Sequence, residues 1–378
     1  MNQRHPMKMP CIASNLIACL ALSLTAVLPA GLAHSQEVLN FYNWSDYIAE
    51  DTIAKFEKET GIKVNYDVYD SSETLEAKLL AGHSGYDLVV PSSSSMGRHI
   101  KAKIYQPLDK SKLPNMKHLD SNLMKAVASQ DPGNKHSIPY LWGTTGIGYN
   151  VDMVKKVLGK DAPVNSWDLV FKPENIKKLT ACGVSFLDSA DEIYPLALNY
   201  VGQTNSQKKA HYKKDSAANS MLKSVRPYVK QFHSSSYINN LANGEICVAV
   251  GYSGDILQAK SRAIEAKNGI NIEYTIPKEG TAVWFDMLVI PSDAKNPSAA
   301  YKFINFLLRP DIIADITNYV SYANPNTGAT KLQDPEISNN PGIYPSQEIM
   351  KHLFTLGSPK KKLLKMRNRL WTDLKAGR

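Results

Sequence analysis

Cysteine is scarce in this 378-residue chain, with four in all, and Cys11 and Cys19 both fall within the first 35 residues. No Cys/His cluster has the spacing of a metal site, so the residues present offer no zinc or iron–sulfur framework and no cofactor is expected. Phosphate-binding glycine loops are missing too. There is no Walker loop, and Gly146-Ile147-Gly148 lacks the third glycine of a dinucleotide fingerprint. Gly251-Tyr252-Ser253-Gly254 fails the G-x-S-x-G spacing of a nucleophile elbow, and His233 beside its serines is an ordinary histidine. Together these gaps argue against an enzyme. Internal repeats and low-complexity linkers are also absent, and no apolar run after residue 35 resembles a membrane span.

What is present begins at the N-terminus. Arg4 and Lys8 precede an apolar run from Leu16 to Leu32, interrupted by Pro29, and the segment closes on Ala33-His34-Ser35. A basic start, a short apolar centre and a small-residue end are the parts of a secretory signal peptide, here residues 1–35. A retained anchor is the alternative, but the apolar part falls short of the roughly 20 residues needed to span a bilayer. Leu16-Ile17-Ala18-Cys19 has the look of a lipoprotein site, yet most of the apolar region follows Cys19 rather than preceding it. From residue 36 on, the chain is long enough for two ordinary domains or one large one, without a membrane segment. Its two remaining cysteines, Cys182 and Cys247, read as one disulfide in an exported chain, with two buried thiols as the alternative.

The chain carries a net charge of +9. Much of the excess lies in the tail from Lys360 to Arg378, whose sole acid is Asp373. Leu363, Leu364, Leu370, Trp371 and Leu374 make that tail an amphipathic helix with a solvated basic face, and aromatic interleaving is too sparse for a nucleic-acid patch. A cationic ligand would therefore have to be held by local carboxylates, not by the global field.

Val38–Tyr42 reads as a strand, period-two alternation predicts another at Lys63–Tyr69, and a short, almost wholly apolar run predicts a third at Asp87–Val90. Helices are predicted between them at Asp51–Thr60 and from Ser71 or Ser72 to Leu80. This alternation argues an α/β fold with parallel sheet. A second series follows the apolar segment Ile138–Tyr149, with strands predicted at Ile246–Gly251, Ile272–Ile276 and Val283–Ile290. Two lobes joined by crossing strands are the expected architecture, residues 36–142 with about 277–325 forming one and 143–276 with about 326–378 the other. Ligands in such sheets sit beyond the carboxyl ends of strands. There the sequence places Trp44-Ser45-Asp46-Tyr47, Pro91 with Ser92 to Ser95, Asp188 to Glu192, and Gly251 to Asp255, with Trp284-Phe285-Asp286 at the start of a returning strand. Each end offers an aromatic, a carboxylate or a hydroxyl. Primary ammonium groups need acceptors that replace lost water, and ring faces attract cations and pack on methylenes. A linear amine fits that combination.

Phe41-Tyr42-Asn43-Trp44-Ser45-Asp46-Tyr47-Ile48, Tyr86 to Ser92, Gly143 to Asn150, Cys182 to Asp188, Leu241-Ala242-Asn243-Gly244 and Trp284-Phe285-Asp286 together carry a resemblance. In order and spacing the chain resembles the periplasmic spermidine/putrescine-binding proteins of ABC transporters. The resemblance implies a type II periplasmic binding protein fold that closes over its ligand, with transporter membrane subunits as partners and a monomeric state. It implies aromatic walls from Trp44, Tyr252 and Trp284, and a carboxylate clamp from Asp255 and Asp286. Glu192 and Asp46 are implied as further acidic partners, and Ser45, Tyr47, Ser92 and Tyr322 as polar contacts. Cys182 and Cys247 match a cysteine pair that is disulfide-linked in relatives.

Tyr252 and Trp284, with the small Ser94 and Ser95, depart from the pattern of putrescine-preferring members and lean the reading toward spermidine. The competing reading is a binding protein of the same fold for another small solute. Ser92 to Ser95 at a helix start would suit an anion, but Asp255, Asp286 and Glu192 would repel one. An amino acid would need an arginine or an anion-binding helix start for its carboxylate, and no arginine lies in the strand-end segments.

Overall fold

The computed structural model describes residues 36–357 and 359–378, and the expected leader lies outside them. Its strands are β1 (Val38–Trp44), β2 (Lys63–Tyr69), β3 (Leu88–Val89), β4 (Ser137–Asn150), β5 (Val184–Phe186), β6 (Gln231–Phe232), β7 (Val248–Tyr252), β8 (Ile272–Thr275), β9 (Ala282–Val289) and β10 (Phe354–Thr355). They pair in the order β2-β1-β3-β9-β4-β7-β5-β6, with β10 added to β9 and β8 to β4. The outer strands β1, β2 and β3, and likewise β5, β6 and β7, run parallel, each joined by helical crossovers. β4 and β9 run antiparallel to their neighbours in the middle of the order.

β4 explains how two lobes share one set of pairings. Its first half, Ser137 to Thr144, pairs with β9, and its second half, Thr145 to Asn150, pairs with β7 and β8. One extended segment thus belongs to a sheet in each lobe. This is the type II arrangement of two α/β lobes, with the chain crossing between them on extended strands. The link from β8 to β9 makes a second crossing.

Local chemistry sets the helix ends. Ser71 caps the Ser72–Leu80 helix by accepting a hydrogen bond from the Thr74 amide, and Gly61 stops the Thr52–Thr60 helix in the left-handed region at φ 72°. Cys182 and Cys247 are joined by a disulfide just before the neighbouring strands β5 and β7. The bond therefore ties the amino ends of these strands. Among the described residues no helix is long and apolar enough to cross a membrane.

The tail forms a helix, Lys361–Lys375, that buries Leu363, Leu370, Trp371 and Leu374. One basic residue departs from the solvated-face expectation: Arg367 is buried on the apolar side. It faces the carboxylate of Asp191 in an ion pair and lies in the field of Glu73. Burial lowers its pKa to about 10, outweighing the opposing charge of Glu73, while Arg98 adds to the lowering and Glu76 opposes it. Farther along the helix, Lys375 binds Asp188 at 2.6 Å, anchoring the tail to the loop after β5.

Candidate functional site

The carboxyl ends of the parallel strands open onto a cleft of about 460 Å³. β9 supplies its most unusual feature. All eight residues of this strand are buried, and amid apolar neighbours it carries Asp286, which is 4% exposed. Trp284 and Asp286, two residues apart, share one face of the strand. The Tyr47 hydroxyl donates to Asp286 Oδ2 at 2.8 Å.

Asp255 stands in the first turn of the Ser253–Glu265 helix, which begins directly after β7. Two tyrosine hydroxyls donate to it at 2.6 Å, Tyr237 to Oδ2 and Tyr322 to Oδ1. Neighbouring glycines permit this approach. A Cβ at Gly254 would lie 2.5 Å from the Tyr322 ring, and one at Gly251 would lie 2.5 Å from the Tyr237 ring. Glu192 likewise occupies a first helical turn, after β5, and its Oε2 accepts from the Thr145 hydroxyl at 2.8 Å. The Trp284 indole N–H donates to the same threonine oxygen at 3.1 Å, so ring and carboxylate are linked through one side chain.

Aromatic rings line the space between these acids. Tyr252 meets Trp284 edge-on with centroids 5.5 Å apart, Trp284 lies 5.5 Å from Tyr322, and Tyr322 lies 4.9 Å from Tyr47. At the end of β1 the Trp44 ring packs on Tyr69, and its indole N–H donates to the Val90 carbonyl at 2.8 Å.

The electrostatics are one-sided. Burial pushes Asp286 up to about 8, against the opposing hydrogen bond from Tyr47. Burial likewise raises Asp255 to about 7, although Tyr237 and Tyr322 favour its charged form. Glu192 rises to about 7, first through burial and then through the charge of Asp286, with Thr145 opposing. No lysine, arginine or histidine is among the lining residues. Arg262 acts on Asp255 through its charge, but the lining itself offers the ionised carboxylates no cationic partner. Among the described residues no group of three or more His, Cys, Asp and Glu is placed to hold a metal ion.

The structure brings ten of the eleven expected contact residues to this cleft: Trp44, Ser45, Tyr47, Ser92, Glu192, Tyr252, Asp255, Trp284, Asp286 and Tyr322. Asp46 is the one it does not bring there. Its backbone takes the left-handed conformation at φ 54°, and its Oδ1 accepts from Arg262 Nη2 at 2.6 Å, an ion pair between the lobes. Ser94 and Ser95 are buried behind the wall, where Ser95 donates to the Ser92 carbonyl. Three lining residues escaped the sequence reading: Asp70, Ser72 and Ser234. The strand-end rule covers them, since Asp70 and Ser72 follow β2 and Ser234 follows β6.

Two lobes sharing crossing strands, with a buried polar cleft between them, define a solute receptor of the binding-protein class. The model of the family described as "Bacterial extracellular solute-binding protein" matches residues 51–345, and the chain belongs to that family. It is a solute-binding protein rather than a catalyst. Its relatives include the putrescine-binding periplasmic protein PotF of Escherichia coli, 54% identical over 96% of this chain and 98% of PotF. The putrescine-binding periplasmic protein SpuD of Pseudomonas aeruginosa is 57% identical over 95% of this chain and 98% of SpuD. Among solved structures, the spermidine/putrescine ABC transporter substrate-binding protein PotD of Streptococcus pneumoniae is 31% identical. It aligns with a TM-score of 0.71 over 90% of this chain and 99% of that one.

Proposed function

We propose that the protein captures a polyamine in the periplasm and delivers it to the membrane subunits of an ABC transporter. Residues 1–35 serve as the export leader, and the receptor acts as a monomer. One observation carries the ligand class: three buried carboxylates, Asp255, Asp286 and Glu192, share a ring-lined cleft that has no cationic side chain in its lining. The names of PotF, SpuD and PotD agree with that class.

In this reading Asp255 and Asp286 grip one ammonium, while Tyr252, Trp284 and Trp44 pack against the methylenes. Glu192 takes charge farther along the chain. Ser45, Tyr47, Ser92 and Tyr322 hold the carboxylates and the amine in register. Asp46 acts across the lobes through Arg262, not on the ligand directly.

A thermal-shift and calorimetry panel of putrescine, cadaverine, spermidine, spermine, arginine and sulfate tests the class, because a ligand that binds only the folded state raises its stability. Stabilisation by a polyamine is expected; a response to sulfate or arginine with none to any polyamine would sink the reading. Asp255→Ala and Asp286→Ala should each weaken polyamine binding by more than about 2 kcal/mol, roughly 30-fold, as expected when a buried charge loses its partner. Affinity near wild type in both variants would refute the clamp.

A further inference from the structure

Strand order gives the cleft a second coordinate. β9, β4 and β7 lie in the middle of the order, whereas β2 and β6 lie at its two ends. Asp286 sits on β9, and Asp255 follows β7. Asp70 directly follows β2, and Ser234 lies just beyond β6. At about 4.8 Å per strand, β2 stands roughly 14 Å from β9, and β6 roughly 10 Å from β7. Asp70 and Ser234 therefore border the same cleft from opposite lobes at its outer end, far from the Asp255–Asp286 clamp.

Neither outer group is used within the protein. Ser234 is 6% exposed, yet its hydroxyl has no hydrogen-bond partner among the described residues. A buried hydroxyl on a cleft wall without a partner costs stability unless something in the cleft satisfies it. The Asp70 carboxylate makes no hydrogen bond or ion pair to a described residue. Ser72 adds a third oxygen beside Asp70 at the start of the next helix. Nearby, the Ser189 hydroxyl donates to Glu73 at 3.4 Å, so the two lobes touch at this end.

We infer that Asp70, Ser72 and Ser234 form an outer subsite for the far ammonium of a triamine. The inference rests on the polyamine reading and adds to it a means of measuring ligand length. An extended diamine with four methylenes spans roughly 6 Å between its nitrogens at ordinary single-bond lengths, whereas spermidine spans roughly 11 Å. Gripped at Asp255 and Asp286, the shorter ligand ends near Glu192. Only the longer one brings an N–H donor to the Ser234 oxygen and a charge to Asp70.

Titration calorimetry of wild type, Asp70→Asn and Ser234→Ala against putrescine and spermidine decides the matter. Both variants should lose spermidine affinity by roughly five- to tenfold, the scale of one net hydrogen bond, while putrescine affinity shifts by less than about twofold. The unchanged putrescine response also certifies that each variant is folded. Equal losses for both ligands, no loss for spermidine, or a wild type that binds putrescine but not spermidine would each overturn the outer subsite and leave the polyamine reading standing. A wild type that binds no polyamine overturns that reading instead.

Discussion

Asp286, Asp255 and Glu192 hold their protons more tightly in the folded protein than ordinary carboxyls do, at about 8, 7 and 7 against ordinary values of 3.8, 3.8 and 4.5. The folded state thus binds more protons than the unfolded chain between those limits. Stability at these sites is greatest below the unfolded values and falls as pH rises through the folded ones. A bound ammonium reverses the balance by favouring the charged form, so binding near neutrality should expel protons. Calorimetry of putrescine binding at about pH 6.5, in two buffers of different ionisation enthalpy, should show proton release that shrinks by about pH 9. Equal heats in both buffers at about pH 6.5 would mean that the carboxylates are already ionised before the ligand arrives.

At the scale of elements, the strand ends were legible because a parallel sheet directs its loops to one side, and the loops there are rich in rings and acids. The same rule was not carried to β2 and β6. Tyr69 precedes Asp70, and Phe232 and Tyr237 flank Ser234, so rings stood beside both residues, yet only strand order shows that these edges border the cleft. Asp46 shows the opposite limit. It sits in the richest motif of the chain, yet a left-handed turn and an arginine on the other lobe take its side chain elsewhere. β4 was visible as an apolar run, but burial along nearly its whole length gives no alternation to mark where it passes from one sheet to the other. The disulfide makes an element-scale prediction. It closes a span of 65 residues at the amino ends of β5 and β7, while the cleft lies at their carboxyl ends. Replacing both cysteines by serine should lower unfolding stability in urea by about 2–4 kcal/mol and leave polyamine affinity within about twofold. A large loss of affinity would show that the bond sets the cleft geometry.

For the whole molecule, the question is what holds the lobes together around the ligand. Several side-chain contacts cross the gap besides the shared strands. Glu73 meets Ser189, Tyr322 donates to Asp255, Arg262 binds Asp46, and Gln258 Nε2 donates to the Val320 carbonyl and, at 3.3 Å, to the Asp46 carbonyl. The Arg262–Asp46 pair keeps 35% exposure on each side chain, so solvent screens it and its contribution is about 0.2–1 kcal/mol. An energy of that size does not create a closed state, but it tilts an equilibrium, and apparent affinity scales with the fraction of molecules already competent to bind. Arg262→Ala should therefore weaken polyamine binding only about two- to fivefold, chiefly through faster dissociation in stopped flow. Raising the salt should narrow the gap between variant and wild type, since screening removes from the wild type what the substitution removes from the variant. If dissociation is unchanged in Arg262→Ala at low salt, closure is driven by the ligand and the buried carboxylates alone. Asp46 would then be a turn residue with an incidental partner.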